Sequence, residues 1–170
     1  KKNKTVNNIC EELRVLFKSI EGYNCFACSP NNKIGLNLNI VQEKDHFTAS
    51  FVLGNLYSGF PGIIHGGIQA TIIDEIGFWA MFEEVKTMGF TTGLNIEYLN
   101  KLETDKELKA VSRDILINKD ETEVTVEILD GSKVCTLGKL KYKLIKDNVI
   151  KRYFGDSFYK SFLEIKKKYD

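Results

Sequence analysis

The chain has 170 residues, 43% hydrophobic and 28% charged, with a formal net charge of +1. That is enough for one domain with a real core and too few for two comfortable ones. The charge balance lacks the basic excess that non-specific nucleic-acid binding needs, and the longest apolar stretch, 66–85, is interrupted by Gln69, Asp74, Glu75, Glu83 and Glu84, so no membrane span is expected.

The first eight residues, KKNKTVNN, carry no apolar signal-peptide stretch and do not begin with Met. A cytoplasmic location is the default expectation, and the natural start is not legible. Residues 5–20 predict an amphipathic helix, with Val6, Ile9, Leu13, Leu16, Phe17 and Ile20 at helical spacing and Gly22 ending it. Cysteines stand at 10, 25, 28 and 135. Cys25 and Cys28 form a C-x-x-C, a spacing used for metal or redox chemistry. A structural zinc site wants four ligands, yet Cys10 and Cys135 are isolated and neither His46 nor His65 is spaced as a partner. The motif also leads into a turn at Pro30-Asn31-Asn32 rather than a helix. Plain thiols are the expectation, with no metal and no redox cofactor.

Two period-two segments follow at 34–42 and 46–53, with Asp45 at a hairpin turn. A loop at 54–64, punctuated by Gly54, Gly59, Pro61 and Gly62, delivers the chain into His65-Gly66-Gly67. The helix expected over 65–85 is apolar nearly all round, so it should be buried. Strands are expected at 90–99, 107–118, 122–129 and 133–145, with turns at Asn118-Lys119-Asp120 and Asp130-Gly131. A last helix over 156–168 places Phe158, Phe162 and Ile165 on one face, and its closing lysines complement the helix dipole. This is an α+β plan. A single apolar helix is covered only if the antiparallel sheet curls around it, the hotdog architecture, with the terminal helices as additions. The division expected is 1–22 as an N-terminal extension, 23–147 as the main domain and 148–170 as a C-terminal extension.

Asp74 and Glu75 are expensive inside a buried helix unless something pairs with them or uses them. The glycine-rich helix start offers unpaired N–H groups beside the positive end of the dipole, which suits a carbonyl oxygen that becomes negative. His65 and Asp74 are nine positions apart, about 180° around the helix and about 13.5 Å along it. One helix cannot aim both at one substrate. Either one of them is functional, or a two-fold dimer assembles each site from His65-Gly66 of one chain and Asp74 of the other. Each residue also has a plainer reading. His65 could cap the helix, Gly66 and Gly67 could serve close packing as Ala70, Gly77 and Ala80 do, and Thr91 and Thr92 suit any strand. Phe78, Trp79, Met81 and Phe82 suit a core better than an acyl pocket.

PGIIHGGIQATIIDE at 61–75, preceded by CFACSPNNKIGLNL and followed by TTGLNIEYLNKL, resembles the hotdog-fold acyl-CoA thioesterases, with the phenylacetyl-CoA thioesterase-like (PaaI-like) branch the nearest. The resemblance spans roughly 25–145. It implies that the Gly66 N–H polarises the thioester carbonyl, and that Asp74 of the partner chain acts as nucleophile or as the base for water. Thr91 would orient that carboxylate or water, and His65 would hold the helix start. Ser58, Ile64, Gly67 and Thr92 are the implied substrate contacts, acyl-CoA the substrate and a homodimer with shared sites, or a dimer of dimers, the assembly. Many members place Asn or Gln six residues before the His, whereas this chain has Gly59. Two other readings stay open: a non-catalytic acyl-CoA-binding protein, and a hydratase or dehydratase on the same fold.

Overall fold

The computed structural model describes residues 9–119 and 121–169. Val6 and Asp120 therefore fall outside the described residues. Among these, no helix is long and apolar enough to cross a membrane.

The first helix, α1, runs Ile9–Lys18. The hairpin of β1 (Val41–Glu43) and β2 (His46–Phe51) turns through Lys44, which takes a positive φ of 55°. The expected strand over 34–42 shortens to β1. Leu36, Leu38 and Ile40 do alternate into the core. However, Asn37 adopts φ 49°, and the N–H groups of Leu36 and Leu38 bond to Phe26 and Ala27 carbonyls rather than to the sheet. Asn tolerates that left-handed backbone, and it breaks the ladder.

The loop at 54–64 forms a 3-10 turn at Asn55–Tyr57 and a small hairpin of β3 (Ser58–Phe60) and β4 (Ile63–Ile64). The long helix α2 spans Gly66–Val85, and Lys86 ends it in a left-handed C-cap whose N–H bonds to the Phe82 carbonyl. Then come β5 (Gly89–Tyr98), β6 (Leu108–Asn118), β7 (Glu121–Asp130) and β8 (Lys133–Leu144), joined without intervening helix. All pair antiparallel in one six-stranded sheet of order β1-β2-β6-β7-β8-β5. Alternation along β7 buries Thr122, Val124, Val126 and Ile128 against α2 and leaves the other face wetter, as expected of an antiparallel sheet with one covered side.

Two glycines set how closely helix and sheet approach. A Cβ at Gly138 would stand 2.4 Å from Ile73 Cγ2, and one at Gly77 would stand 2.5 Å from the Tyr142 hydroxyl. The Tyr142 hydroxyl, whose pKa burial pushes well above its ordinary value, thereby reaches the Asp74 backbone carbonyl at 3.2 Å as a neutral donor.

The final helix, α3, is longer than the pattern over 156–168 predicts. It runs Asp147–Lys167 and breaks at Gly155, where φ 84° and ψ 167° separate two helical runs. The earlier run buries Ile150 completely. Phe17 of α1 meets Phe154 and Phe158 of α3 and Phe78 and Trp79 of α2. Trp79, Met81 and Phe82 are core residues, and Phe78 is half-buried.

Candidate active site at the two ends of β5

His65 is the N-cap of α2. Its backbone is extended, and its Nδ1 accepts from the Gly67 N–H at 2.8 Å, which places the ring proton of the neutral form on Nε2. The His65 carbonyl accepts from Ile68 and Gln69. The Gly66 N–H belongs to the first turn, where the helix supplies no acceptor, and among the described residues none of these capping bonds uses it. It faces the positive end of a helix 20 residues long. Gly67, by contrast, has its N–H committed to His65.

A cleft of about 470 Å³ opens at this helix start, lined by Gly59, Phe60, Ile64, His65, Gly66 and Tyr98 among others. Gln69 forms its floor. Buried at 5% exposure, it donates to the Ile64 carbonyl at 2.9 Å and accepts from Thr136. The Tyr98 hydroxyl donates to the Gly66 carbonyl at 3.0 Å, and a Cβ at Gly66 would collide with it at 2.9 Å. A side chain at Gly66 would therefore have to displace the Tyr98 phenol that lies across it. At Gly59 a Cβ would stand 3.1 Å from His65 Cδ2, so a larger side chain there would press on the capping ring. Leu102 and residues 103–104 fasten the small hairpin: the Ile64 N–H bonds to the Leu102 carbonyl, and the Thr104 N–H to that of Gly62.

The acid lies elsewhere. Asp74 is half-buried on α2, and its Oδ1 accepts from Thr91 Oγ1 at 2.7 Å. A β-bulge makes this contact possible. The register of β5 on β8 pairs Thr91 with Tyr142 and then Gly93 with Lys141, which leaves Thr92 as the extra residue. Strict alternation would have turned Thr91 outward with Gly93 and Asn95. The bulge instead brings it to the helix side with Leu94, Ile96 and Tyr98, the partners of Leu140, Gly138 and Thr136. Thr92 sends its hydroxyl to the Lys141 carbonyl at 3.2 Å.

Among the expected site residues, His65, Gly66 and Ile64 share the cleft, and Asp74 and Thr91 share a hydrogen bond. Neither Asp74 nor Thr91 lines the cleft. Seven residue steps, about 23 Å along β5, separate Thr91 from Tyr98. The Ser58 hydroxyl turns back to the Asn55 carbonyl at 2.6 Å. Sequence reasoning passed over Tyr98 and Gln69. For Tyr98 the available signal was the alternation Leu94, Ile96, Tyr98 in a strand that follows the helix directly. Gln69 had one too, a lone amide one turn into an apolar helix.

Residues 61–136 match the model of the thioesterase superfamily. None of the curated proteins compared matches the sequence. Among solved structures, a thioesterase superfamily protein aligns with a TM-score of 0.63 at 17% identity over 69% of this chain, which spans 58% of that one. Zebra fish thioesterase superfamily member 2 aligns with a TM-score of 0.62 at 17% identity, over 78% of this chain and 96% of the other. A Streptococcus mutans protein bound to acetyl CoA aligns at 0.59 and 18% identity, over 64% and 89%. At such identities the likeness establishes the fold. The segment that matches the thioesterase superfamily model thus carries Asp74, Thr91 and most of the cleft lining, in a hotdog fold with an added helix at each end.

Proposed function

We propose that the protein hydrolyses acyl-CoA thioesters to a carboxylic acid and CoA, through sites that a two-fold homodimer shares. The observation that carries this reading is the split geometry: an unengaged N–H at Gly66 in one place, and a hydroxyl-held carboxylate at Asp74 in another. In the proposed step the thioester oxygen accepts from the Gly66 N–H, where the helix dipole favours the negative charge that forms. Asp74 of the second chain is the base that activates water, or the nucleophile itself. The tetrahedral intermediate collapses, the C–S bond breaks, and the CoA sulfur leaves with the electron pair and gains a proton. Thr91 orients the carboxylate, and Tyr98 fixes the backbone at Gly66.

β5 supports the shared arrangement. It is an edge strand ten residues long, and Leu94, Tyr98 and neighbouring Leu99 are 40%, 55% and 51% exposed. Long apolar edges are liabilities unless covered. Antiparallel pairing of two β5 strands about an axis near Leu94 and Asn95 would set Thr91 of one chain opposite Tyr98 of the other. The carboxylate would then sit beside the cleft it needs. The CoA carrier is supported by the acetyl CoA complex named above and by a Streptococcus pneumoniae hypothetical thioesterase solved with coenzyme A. The PG-x-x-HGG loop supports the PaaI-like branch.

One observation favours a second reading, an acyl-CoA-binding protein that hydrolyses poorly. Gly59 packs against the His65 ring, so no side-chain amide from that position reaches the carbonyl. Free-thiol release from short, long and aromatic acyl-CoAs separates the two. Turnover that collapses in Asp74→Asn supports the thioesterase. Tight binding without turnover of any ester supports the binding protein.

A further inference from the structure

The proposed hydrolysis gives the Cys25-x-x-Cys28 motif no role, and the fold brings it a third member from fifty residues along the chain. The Cys25 thiol lies 3.5 Å from Glu75 Oε2. The two sulfurs and a Glu75 oxygen all fall within 4.8 Å of one another, and all three residues are half-buried. Three contacts organise the group, one of them between the Tyr23 hydroxyl and Cys28 Sγ at 3.6 Å. The Cys28 N–H donates to Cys25 Sγ at 3.4 Å, so the chelate loop closes on its own first sulfur. Trp79 Nε1–H donates to Glu75 Oε1 at 2.8 Å, which leaves Oε2 for the thiols. Outer hydrogen bonds of this kind orient metal ligands.

We propose that Cys25, Cys28 and Glu75 bind one zinc-class divalent cation, with water as the fourth ligand. Two sulfurs and a carboxylate oxygen suit zinc by ligand type. Tetrahedral ligands at metal distances of about 2.0–2.3 Å stand about 3–4 Å apart, so small side-chain movements close the set. A cleft of about 250 Å³, lined by Arg14, Lys18, Tyr23 and Cys28 among others, gives water and the ion access. On binding, the two thiols release their protons, and two thiolates, a carboxylate and a dication leave one negative charge. Arg14, whose guanidinium lies 5.2 Å from the Trp79 ring centroid, and Lys18 stand in position to offset it.

The rival use of a C-x-x-C is disulfide exchange, which begins from a thiolate. Disulfide exchange needs only the two sulfurs, whereas the Glu75 oxygen held beside them supplies a third ligand for a cation. The ion would clip segment 23–40 to α2 one residue past Asp74, taking no part in the thioester step.

The test uses the full chain, reduced, stripped of metal and titrated with Co²⁺. The expected result is one Co²⁺ per chain with a near-ultraviolet thiolate-to-cobalt charge-transfer band, displaced by an equivalent of Zn²⁺. Cys28→Ser removes the band, and Glu75→Gln keeps it but weakens cobalt affinity more than about tenfold. In wild type, Zn²⁺ also slows alkylation of Cys25 and Cys28 but not of Cys10 and Cys135, a readout that needs no variant to fold. The absence of a band at saturating cobalt, or equal alkylation with and without zinc, overturns the site. Unchanged cobalt affinity in Glu75→Gln overturns the carboxylate ligand. A Cys25–Cys28 disulfide formed with glutathione disulfide in a protein that shows no cobalt band assigns the motif to redox chemistry instead. None of these readings depends on thioester hydrolysis.

Discussion

Asp74 and Glu75 are sequence neighbours about 100° apart on α2, and the fold answers each charge differently. Asp74 turns to the edge strand, where the Thr91 hydroxyl meets it beside the half-exposed residues of β5. Glu75 turns to a different flank, where Trp79 holds one oxygen and the Cys25 thiol meets the other. An apolar helix tolerates two adjacent acids because it sends them to different neighbours, and the neighbours differ in kind. A single hydroxyl and open space suit a carboxylate that reacts. A fixed indole and two thiols suit one that is held.

The sharpest way to break this contrast is to remove each charge in turn. Asp74→Asn should lower turnover by about 10²–10⁴-fold with acyl-CoA affinity retained, read by thiol release and by equilibrium binding. Glu75→Gln should leave turnover within about twofold, since it touches nothing in the cleft, while costing about 0.5–3 kcal/mol in chemical denaturation. If Glu75→Gln abolished turnover and Asp74→Asn did not, the two faces would have to exchange roles. Thr91→Val probes the hydroxyl alone, and turnover should fall by about tenfold with an unchanged melting temperature.

Gly138→Ala tests the packing that both acids depend on. With a Cβ 2.4 Å from Ile73 Cγ2, helix and sheet must part, at a cost of about 1–3 kcal/mol in denaturant titration. The smallest effect concerns Glu103, whose carboxyl Lys101 and then Lys106 hold down at about 2. A depressed carboxylate stabilises the fold above its ordinary value of 4.5, and that contribution fades as pH falls towards 2. The melting-temperature gap between wild type and Glu103→Gln should therefore be present at pH 5 and close in that window.

Sequence reasoning read α2 and β5 to β8 to within about a residue, because an unbroken apolar helix and four alternating strands are strong periodic signals. It also separated His65 from Asp74 by counting residues around a helix. It missed what depends on single backbone angles. Asn37 at φ 49° undoes a strand whose alternation is otherwise sound, and the bulge at Thr92 reverses the side that Thr91 faces. The earlier run of α3 was hidden by Gly155, where the helix does break, but with a second helical run before it. Nor does spacing along the chain reveal that Glu75 meets Cys25, since that contact forms only after segment 23–40 folds across α2.

The shared site is the central claim, and complementation between two inactive chains tests it most directly. Asp74→Asn lacks the acid, whereas Gly66→Val blocks the cleft by pushing a side chain into Tyr98. Co-expressed in equal amounts, the two variants should form mixed dimers in which one of the two sites is intact, recovering about a quarter of wild-type thiol release. Folded mixed dimers with no recovered activity, alongside an active wild type, would contradict a site built from two chains.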